Sequence, residues 1–267
     1  MTKLSIITIN YNNANGLEKT IKSVINQAFT NYEYIIIDGG STDKSVAIIK
    51  SYSEQINHWV SEKDRGIYHA MNKGILKATG EYCLFLNSGD SLVNESIIKN
   101  VFDLEKSQDI LYGELEFTHK DTKKNIVKRP VKIDRYHMFH DNIWHPASFI
   151  KRELFNSIGL YNEQYKIAAD YDFFFNALVI KKVSSIYIPF SISVYDTEGI
   201  SSLPSNFQQV SMERNAIHHS YLTTNEICYM NNLRIIKNKK TAKLLSNMPI
   251  MNNIFNWLLS IYSKLRN

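Results

Sequence analysis

The chain has 267 residues, 44% of them hydrophobic and 12% aromatic, which is enough to bury a large core and excludes a disordered protein. Its two cysteines lie far apart without a histidine at metal-ligand spacing, so a disulfide framework and a zinc site are excluded and a reducing compartment is favoured. The charge of +5 is uneven, with eight basic residues against one acid from residue 214 onward. A mildly acidic body with a basic tail is not typical of a nucleic-acid-binding domain, so we expect no nucleic-acid partner.

Strands and helices alternate over the first hundred residues. Buried strands are predicted at KLSIITINY, EYIIIDGG, NHWVSE and EYCLFL. Helices are predicted between them, at NGLEKTIKSVINQAF, STDKSVAIIKSYSEQI and GIYHAMNKGILKAT, the last closed by Gly80. This alternation predicts a parallel sheet covered on both faces, because parallel neighbours need a crossover connection.

The pattern changes after Asp90. ILYGELEF, NIVKRPVKI and SSIYIPFSISVYD are typical of strands, the first two joined by a polar turn at THKDTKKN, and AADYDFFFNALVIKK is typical of a helix. The amino terminus is apolar over too short a run for a signal peptide, and no segment is long enough to span a membrane. We therefore expect a cytoplasmic protein with a second, smaller set of strands.

Polar segments follow each of the four early strands: NYNN, DGGSTD, EKDRG and NSGD. Ligands of open parallel sheets bind beyond the carboxyl ends of the strands, where these segments would converge. Turn formation and helix capping explain any one segment equally well. Four such segments in register favour a binding site.

The order of SIITINYNN, IIIDGGSTD, GIYHAMNKGILKATGEY, FLNSGD and AADYDFFF resembles the family 2 glycosyltransferases of GT-A fold, in the branch that builds bacterial surface polysaccharides. The resemblance implies an α/β, Rossmann-like, doubly wound and mostly parallel sheet, with a small antiparallel acceptor-side sheet and a C-terminal helical tail. The catalytic domain would span residues 1–205, divided into a nucleotide-sugar-binding half at 1–100 and an acceptor-side half at 101–205. The basic and amphipathic tail would span 206–267.

The resemblance also implies a nucleotide-sugar donor, with a UDP-sugar favoured. Tyr11 would stack on the base and Asp38 would accept a ring N–H. Arg65 offers a planar fork suited to phosphate, although a surface ion pair with Glu62 or Asp64 is an open alternative. The donor-binding candidates are Thr8, Asn10, Tyr11, Asp38, Asp64, Arg65, Asn72, Asn87 and Ser88.

Asp90 matches the final acid of the family's metal-binding DxD segment, where Mg²⁺ or Mn²⁺ bridges carboxylate and diphosphate oxygens. Here Asn87 and Gly89 stand in place of the other acids of that pattern, so the segment supplies one carboxylate. Waters and substrate phosphates would complete the coordination shell. The alternative is that Asp90 caps a helix in LVNESIIKNVF.

By alignment with the family pattern, Asp170 is the general base of an inverting displacement, a role that typically contributes roughly 10²- to 10⁴-fold. Asp172 is its rival, and two residues along a helix it would point about 200° away. His145 is a candidate contact of acceptor or metal, and Trp144 a candidate acceptor platform. For both, burial in the core is the alternative.

The tail joins a basic segment, NNLRIIKNKKTAKLL, to an amphipathic one, PIMNNIFNWLLSIYSKLRN. It would pack on the catalytic body or in a homodimer, or lie on the anionic inner leaflet of the plasma membrane, where a lipid-linked saccharide acceptor is held.

Two rival functions remain open. A dinucleotide-dependent oxidoreductase would need a G-x-G-x-x-G fingerprint, which NYNNANG lacks. A non-catalytic nucleotide- or sugar-binding module is supported by the reduced metal motif.

Overall fold

The computed structural model describes residues 2–118, 124–197 and 204–237. Within these ranges nine strands form one mixed sheet in the order β3-β2-β1-β4-β8-β6-β9-β5, with β7 paired to β6. Among the described residues no helix is both long and apolar enough to cross a membrane. The strands are β1 (Leu4–Asn10), β2 (Tyr32–Asp38), β3 (His58–Ser61), β4 (Tyr82–Phe85), β5 (Ser91–Leu92), β6 (Ile110–Thr118), β7 (Lys124–Val127), β8 (Ser148–Lys151) and β9 (Ser185–Asp196).

The predicted parallel half is confirmed. Strands β3, β2, β1 and β4 are mutually parallel neighbours. The later strands extend the same sheet through antiparallel pairs of β8 with β4 and β6, and one parallel pair of β6 with β9. The strands that follow β4 therefore continue the sheet formed by the first four strands.

Helices cover both faces of the sheet, as the alternation of strands and helices predicts. They are α1 (Ala14–Ile25), α2 (Ser45–Ser51), α3 (Ile67–Lys77), α4 (Ile97–Phe102), α5 (Arg135–His140), α6 (Glu153–Ser157), α7 (Ala169–Phe175), α8 (Phe207–Tyr221) and α9 (Thr224–Lys237). Alternate β1 residues point to opposite faces, so Ile6 packs in one cluster with Leu17 of α1, and Ile7 in the other with Met71 of α3. This two-sided burial explains the continuous apolar run of β1.

Gly80 does not end α3 as predicted. The helix ends at Lys77, and Ala78 already has an extended backbone. A Cβ on Gly80 would lie 2.6 Å from the Ser5 backbone nitrogen, so the glycine allows the chain entering β4 to approach β1 closely.

Two other predicted elements are shorter than expected. The predicted second helix is α-helical only over Ser45–Ser51. Strand β7 stops at Val127, before Pro130 of the predicted NIVKRPVKI strand, where a proline could not donate to the sheet. Of the predicted turn THKDTKKN, residues 119–123 lie outside the described residues, and its flanks belong to β6 and β7. The tail from residue 238 onward, which includes the whole amphipathic segment, also lies outside them.

Candidate active site

The carboxyl ends of β1, β2 and β3 are in register, with Asn10 opposite Asp38 and Asp38 opposite Ser61. Asp38 is fully buried and accepts hydrogen bonds from the Asn10 amide at 2.7 Å, from Ser41 and from Ser61. Burial raises the pKa of Asp38, but the hydrogen bonds from Ser41, Ser61 and Asn10 outweigh it and hold the pKa below its usual value. Asp38 therefore ties three strand ends together as a carboxylate.

Thr8 and Asn10 lie inside this edge. The Thr8 hydroxyl is buried and lies 3.1 Å from the Tyr34 hydroxyl. Asn10 is 4% exposed, and its side-chain oxygen is buried without a hydrogen-bond partner. The Thr8 hydroxyl is thus paired within the protein, whereas the side-chain oxygen of Asn10 remains an unpaired acceptor at this edge of the sheet.

Tyr11 and Asp64 meet across Gly39. A Cβ on Gly39 would lie 3.3 Å from a Tyr11 ring carbon and 3.4 Å from Asp64 Oδ2. The Tyr11 side chain is 67% exposed, while that of Asp64 is 8% exposed. Asp64 Oδ1 accepts from Lys73 Nζ at 2.7 Å, but Oδ2 is buried without a hydrogen-bond partner. A free aromatic face beside an unpartnered carboxylate oxygen suits a flat heterocycle with an N–H donor.

Arg65 and Asn72 both form hydrogen bonds with the segment 161–163. Arg65 pairs with Glu163 at 2.7 Å, so neither Glu62 nor Asp64 is its partner in this structure. The Asn72 amide donates to the Tyr161 carbonyl oxygen at 2.9 Å, and its oxygen accepts from the Tyr161 N–H at 3.0 Å. Glu163 was missed from the sequence because its partner lies 98 residues away.

Asp90 lies in a tight turn and is 2% exposed. Its carboxylate accepts the backbone N–H of Asn87 at 3.2 Å and that of Asp196 at 2.9 Å. Burial is the main cause that raises the pKa of Asp90 to about 6, and the negative charge of Asp196 adds to it. The helix-cap alternative for Asp90 is wrong, because strand β5 follows it and α4 begins only at Ile97.

Helix α1 holds the turn that carries Asp90. The Thr20 hydroxyl donates to the Asp90 carbonyl oxygen at 2.6 Å, and Lys19 Nζ donates to the Gly89 carbonyl oxygen at 2.8 Å. The Asn13 amide donates to the Ser88 carbonyl oxygen at 3.0 Å. The backbone of residues 88–90 is thus held by α1 and by Asn13, which caps it.

A second carboxylate reaches this turn from β9. Gly89 has a φ of +107°, and a Cβ there would collide with Asp196 Oδ2. Among the described residues no group of three or more His, Cys, Asp or Glu side chains forms a ready-made cation cage. Mg²⁺ is commonly held by one or two carboxylates plus substrate phosphates, so Asp90 with Asp196 fits such an ion. The sequence signal for Asp196, an acid at a strand end, was available but not used.

Asp90 and Asp170 belong to one polar network. Asp170 lies in the first turn of α7, and its Oδ2 is 3.2 Å from His145 Nδ1. His145 Nε2 is 3.3 Å from the amide nitrogen of Asn87, whose backbone N–H binds Asp90. The Tyr68 hydroxyl donates to Asp170 Oδ1 at 3.1 Å. Since an amide nitrogen only donates, His145 in this arrangement accepts at Nε2 and donates its Nδ1 proton to Asp170.

Asp172 lies on another face of α7. It hydrogen-bonds to Tyr221 of α8, and burial raises the pKa of this carboxyl above its usual value. Asp170 and Asp172 therefore differ in both direction and surroundings, as expected for residues two apart on a helix.

A cavity of about 260 Å³ opens beside Asp170. Trp144 forms part of its wall, with the Arg129 guanidinium carbon 3.2 Å from the ring centre and Phe117 edge-on at 5.5 Å. The cavity shares Val210 and Arg214 with a larger one of about 710 Å³ between α8 and α9. The smaller cavity is lined by Leu115, Phe117, Asp141, Asn142, Trp144, His145, Pro146, Ile167, Ala168, Asp170, Tyr171, Tyr195, Val210 and Arg214.

The order and pairing of the strands, with helices on both faces of the sheet, are those of the GT-A fold. The model of the family described as "Glycosyl transferase family 2" matches residues 5–169, so the chain belongs to this family.

Relatives agree with this assignment. A PGL/p-HBAD biosynthesis glycosyltransferase of Mycobacterium bovis is 29% identical over 217 residues, covering 75% of this chain and 83% of its own. An uncharacterized glycosyltransferase of Mycobacterium tuberculosis is 30% identical over 205 residues, covering 74% and 77%.

Solved structures share the fold. TarS 1–349 of Staphylococcus aureus, in complex with UDP-GlcNAc, matches with a TM-score of 0.63 at 18% identity, over 85% of this chain and 70% of that one. The mannosyltransferase PcManGT of Pyrobaculum calidifontis, in complex with GDP-Man and Mn²⁺, matches with a TM-score of 0.57 at 15% identity, over 98% and 86%.

Proposed function

We propose that this glycosyltransferase is an inverting, metal-dependent enzyme that moves one sugar from a nucleotide-sugar donor to a hydroxyl of a saccharide in cell-surface polysaccharide assembly. The observation that carries this proposal is the polar network from Asp90 through Asn87 and His145 to Asp170. Asp90, at one end of this network, would serve the donor's diphosphate. Asp170, at the other end, would serve the acceptor hydroxyl.

The donor's base would stack on Tyr11 and donate an N–H to the unpartnered Asp64 Oδ2. We assign this contact to Asp64 and not to Asp38, as first expected, because both Asp38 oxygens already accept hydrogen bonds. The complexes of TarS with UDP and UDP-GlcNAc support a UDP-sugar as the favoured donor. Arg65 is 73% exposed on its side chain and lies on the same edge, where it could exchange Glu163 for a phosphate oxygen.

Asp90 and Asp196 would hold the Mg²⁺ or Mn²⁺, and the donor's diphosphate would supply further ligands. Bound there, the ion would neutralise the charge that develops on the departing nucleoside diphosphate. The raised pKa of Asp90 supports this assignment, because a cation would offset the cost of burying its negative charge.

Asp170 would take the proton of the acceptor hydroxyl as the oxygen bonds to the anomeric carbon and the bond to the diphosphate breaks. Tyr68 binds Asp170 Oδ1 and His145 faces Oδ2, which together fix the plane of the carboxylate. This single displacement inverts the anomeric configuration.

The acceptor would enter the 260 Å³ cavity beside Asp170, whose aromatic wall suits the apolar face of a sugar ring. The larger cavity, which shares Val210 and Arg214 with the smaller one, would leave room for a lipid-linked saccharide. We also place the protein in the cytoplasm, with a homodimer contact or peripheral contact to the inner membrane face made by the tail segment outside the described residues.

The test is a panel of UDP- and GDP-sugars incubated with the purified full chain and Mg²⁺ or Mn²⁺, with released nucleoside diphosphate as the readout. In the presence of acceptor, we expect metal-dependent release with one donor and a release roughly 10²- to 10⁴-fold slower with Asp170→Asn. Binding of a nucleotide without any release would instead favour the non-catalytic binding module.

A further inference from the structure

Glu213 is a buried acid of α8 that no step of the proposed reaction uses. It is 6% exposed, and it lies beyond residue 169, where the family match ends. Buried carboxylates without a cationic partner are rare, because desolvation of the charge is costly unless hydrogen bonds compensate for it.

The hydrogen bonds of Glu213 come from the backbone that leads into α7. Its Oε1 accepts the N–H of Lys166 at 2.8 Å, and its Oε2 accepts those of Ile167 at 3.0 Å and Ala168 at 2.9 Å. Burial raises the pKa of Glu213, but the Gln209 side chain and these three N–H groups outweigh it and lower the pKa below its usual value. Glu213 is therefore a carboxylate that anchors the chain directly before Asp170.

The segment of residues 166–168 is also linked to Asp170 through Tyr68. The Tyr68 hydroxyl lies 2.5 Å from the Ile167 carbonyl oxygen and 3.1 Å from Asp170 Oδ1, so these two acceptors share its one proton. A shift of residues 166–168 would move the tyrosine contact and the start of α7 together. The position of the Asp170 carboxylate thus depends on how firmly this segment is held.

Helix α8 also contacts Tyr171 of α7. The Arg214 guanidinium carbon lies 4.0 Å from the Tyr171 ring centre, and His218 Nε2 lies 2.6 Å from the Tyr171 hydroxyl. Among the residues that the structure describes, Glu213 alone contacts the backbone leading to Asp170 with a charged group, which accepts from three successive N–H donors. Charge-assisted hydrogen bonds of this kind are stronger and more directional than neutral ones.

We propose that Glu213 is a positioning residue for the base Asp170, so that α8 completes the active site. This inference rests on the proposed role of Asp170 in transfer. In Glu213→Gln an NH₂ group replaces one carboxylate oxygen and faces backbone N–H donors, which breaks part of the anchor. A misplaced base costs up to about 100-fold in rate, so we expect kcat to fall about 10- to 100-fold with the donor KM unchanged.

A double-mutant cycle separates positioning from general damage. In the Asp170→Asn background, Glu213→Gln should have no further effect on the residual rate, because there is no base left to position. Equal losses in both backgrounds would overturn the proposal. The matched control is Glu226→Gln, which removes a half-exposed carboxylate of α9 and should leave kcat unchanged.

Amide hydrogen exchange tests the anchor without any activity. Glu213→Gln should speed exchange at residues 166–168 at least 10-fold, while peptides of β1 and β2 remain at the wild-type rate. If Glu213→Gln shows faster exchange but the wild-type protein shows no transfer, the proposed function is contradicted and the anchoring role of Glu213 is retained. Unchanged exchange would contradict the anchor itself, and a uniform increase would show that the variant is merely unstable.

Discussion

His145 Nδ1 lies 3.2 Å from Asp170 Oδ2, and the same imidazole reaches the Asn87 amide nitrogen through Nε2 at 3.3 Å. One ring thus joins the turn of the predicted metal ligand to the start of the helix that carries the predicted base. We expect His145→Ala to lower kcat for transfer about 10- to 100-fold, because the Asp170 carboxylate loses its partner on one side. Steady-state kinetics with donor and acceptor varied separately would measure this.

The control is His219→Ala, which removes an exposed imidazole of α8. It should leave transfer at the wild-type rate. A His145→Ala enzyme as fast as wild type would show that the network does not contribute to catalysis.

Asp170 and Asp172 are a matched pair on one helix. Asp170→Asn should lower transfer roughly 10²- to 10⁴-fold while nucleotide binding is kept, because only proton removal is lost. Asp172→Asn should change transfer little, since Asp172 hydrogen-bonds to Tyr221 and not to His145. Transfer assays with nucleotide titration calorimetry would compare the two, and normal turnover by Asp170→Asn would remove the base assignment.

Asp90→Asn should abolish the gain in UDP affinity that Mg²⁺ or Mn²⁺ provides, because the amide keeps the shape but loses the charge that binds the cation. Asp196→Asn should weaken that gain to a lesser degree. Calorimetry with UDP, with and without metal, is the measurement. Asp103→Asn, at an exposed acid that pairs with Lys99 in α4, is the control. A metal effect as large in Asp90→Asn as in wild type would refute the metal site.

Tyr11→Ala should weaken UDP binding about 10-fold or more, because stacking of a base on an aromatic ring is worth about 1–3 kcal/mol. Asp64→Asn should also weaken binding, by replacing an acceptor oxygen or by disturbing the contact with Lys73. Fluorescence titration with UDP would measure both. Phe207→Ala removes another exposed ring, at the start of α8, and should bind UDP normally.

His218 should make stability depend on pH. It stacks on Phe139 at 4.1 Å between ring centres, and burial, aided by the positive charge of Arg214, lowers its pKa from 6.5 to about 4. The unfolded chain binds this proton near pH 6.5, but the folded protein binds it only near pH 4. The contribution of neutral His218 to the free energy of unfolding is therefore full above pH 6.5 and is lost as the pH falls from 6.5 to about 4.

The loss should be on the order of 2 kcal/mol between pH 7 and pH 4, measured by urea unfolding. His218→Gln should flatten the pH dependence in this window, whereas the exposed His219→Gln should keep it. Identical slopes for wild type and His218→Gln would assign the pH dependence to other groups.

The first hundred residues could be predicted closely because their signals are local. A continuous apolar strand such as β1 and a helical spacing such as that of α1 each depend on residues within one element. The positions of Asp90 at a strand end and Asp170 at a helix start followed from the same local order. Gly80 was predicted wrongly as a helix end. It is needed because the chain passes close to β1 there, and residues next to it in the sequence do not reveal that contact.

The order of elements and the motifs along the chain thus determined the fold class, the family and the edge of the sheet at which the site lies. Only the tertiary structure decided which side chains complete that site. Glu163 beside Arg65, Asp196 beside Asp90 and Glu213 behind Asp170 are each brought in by packing between distant elements. The physical reason is that hydrogen bonds and ion pairs act over a few ångströms in space, and separation along the chain carries almost no information about that distance.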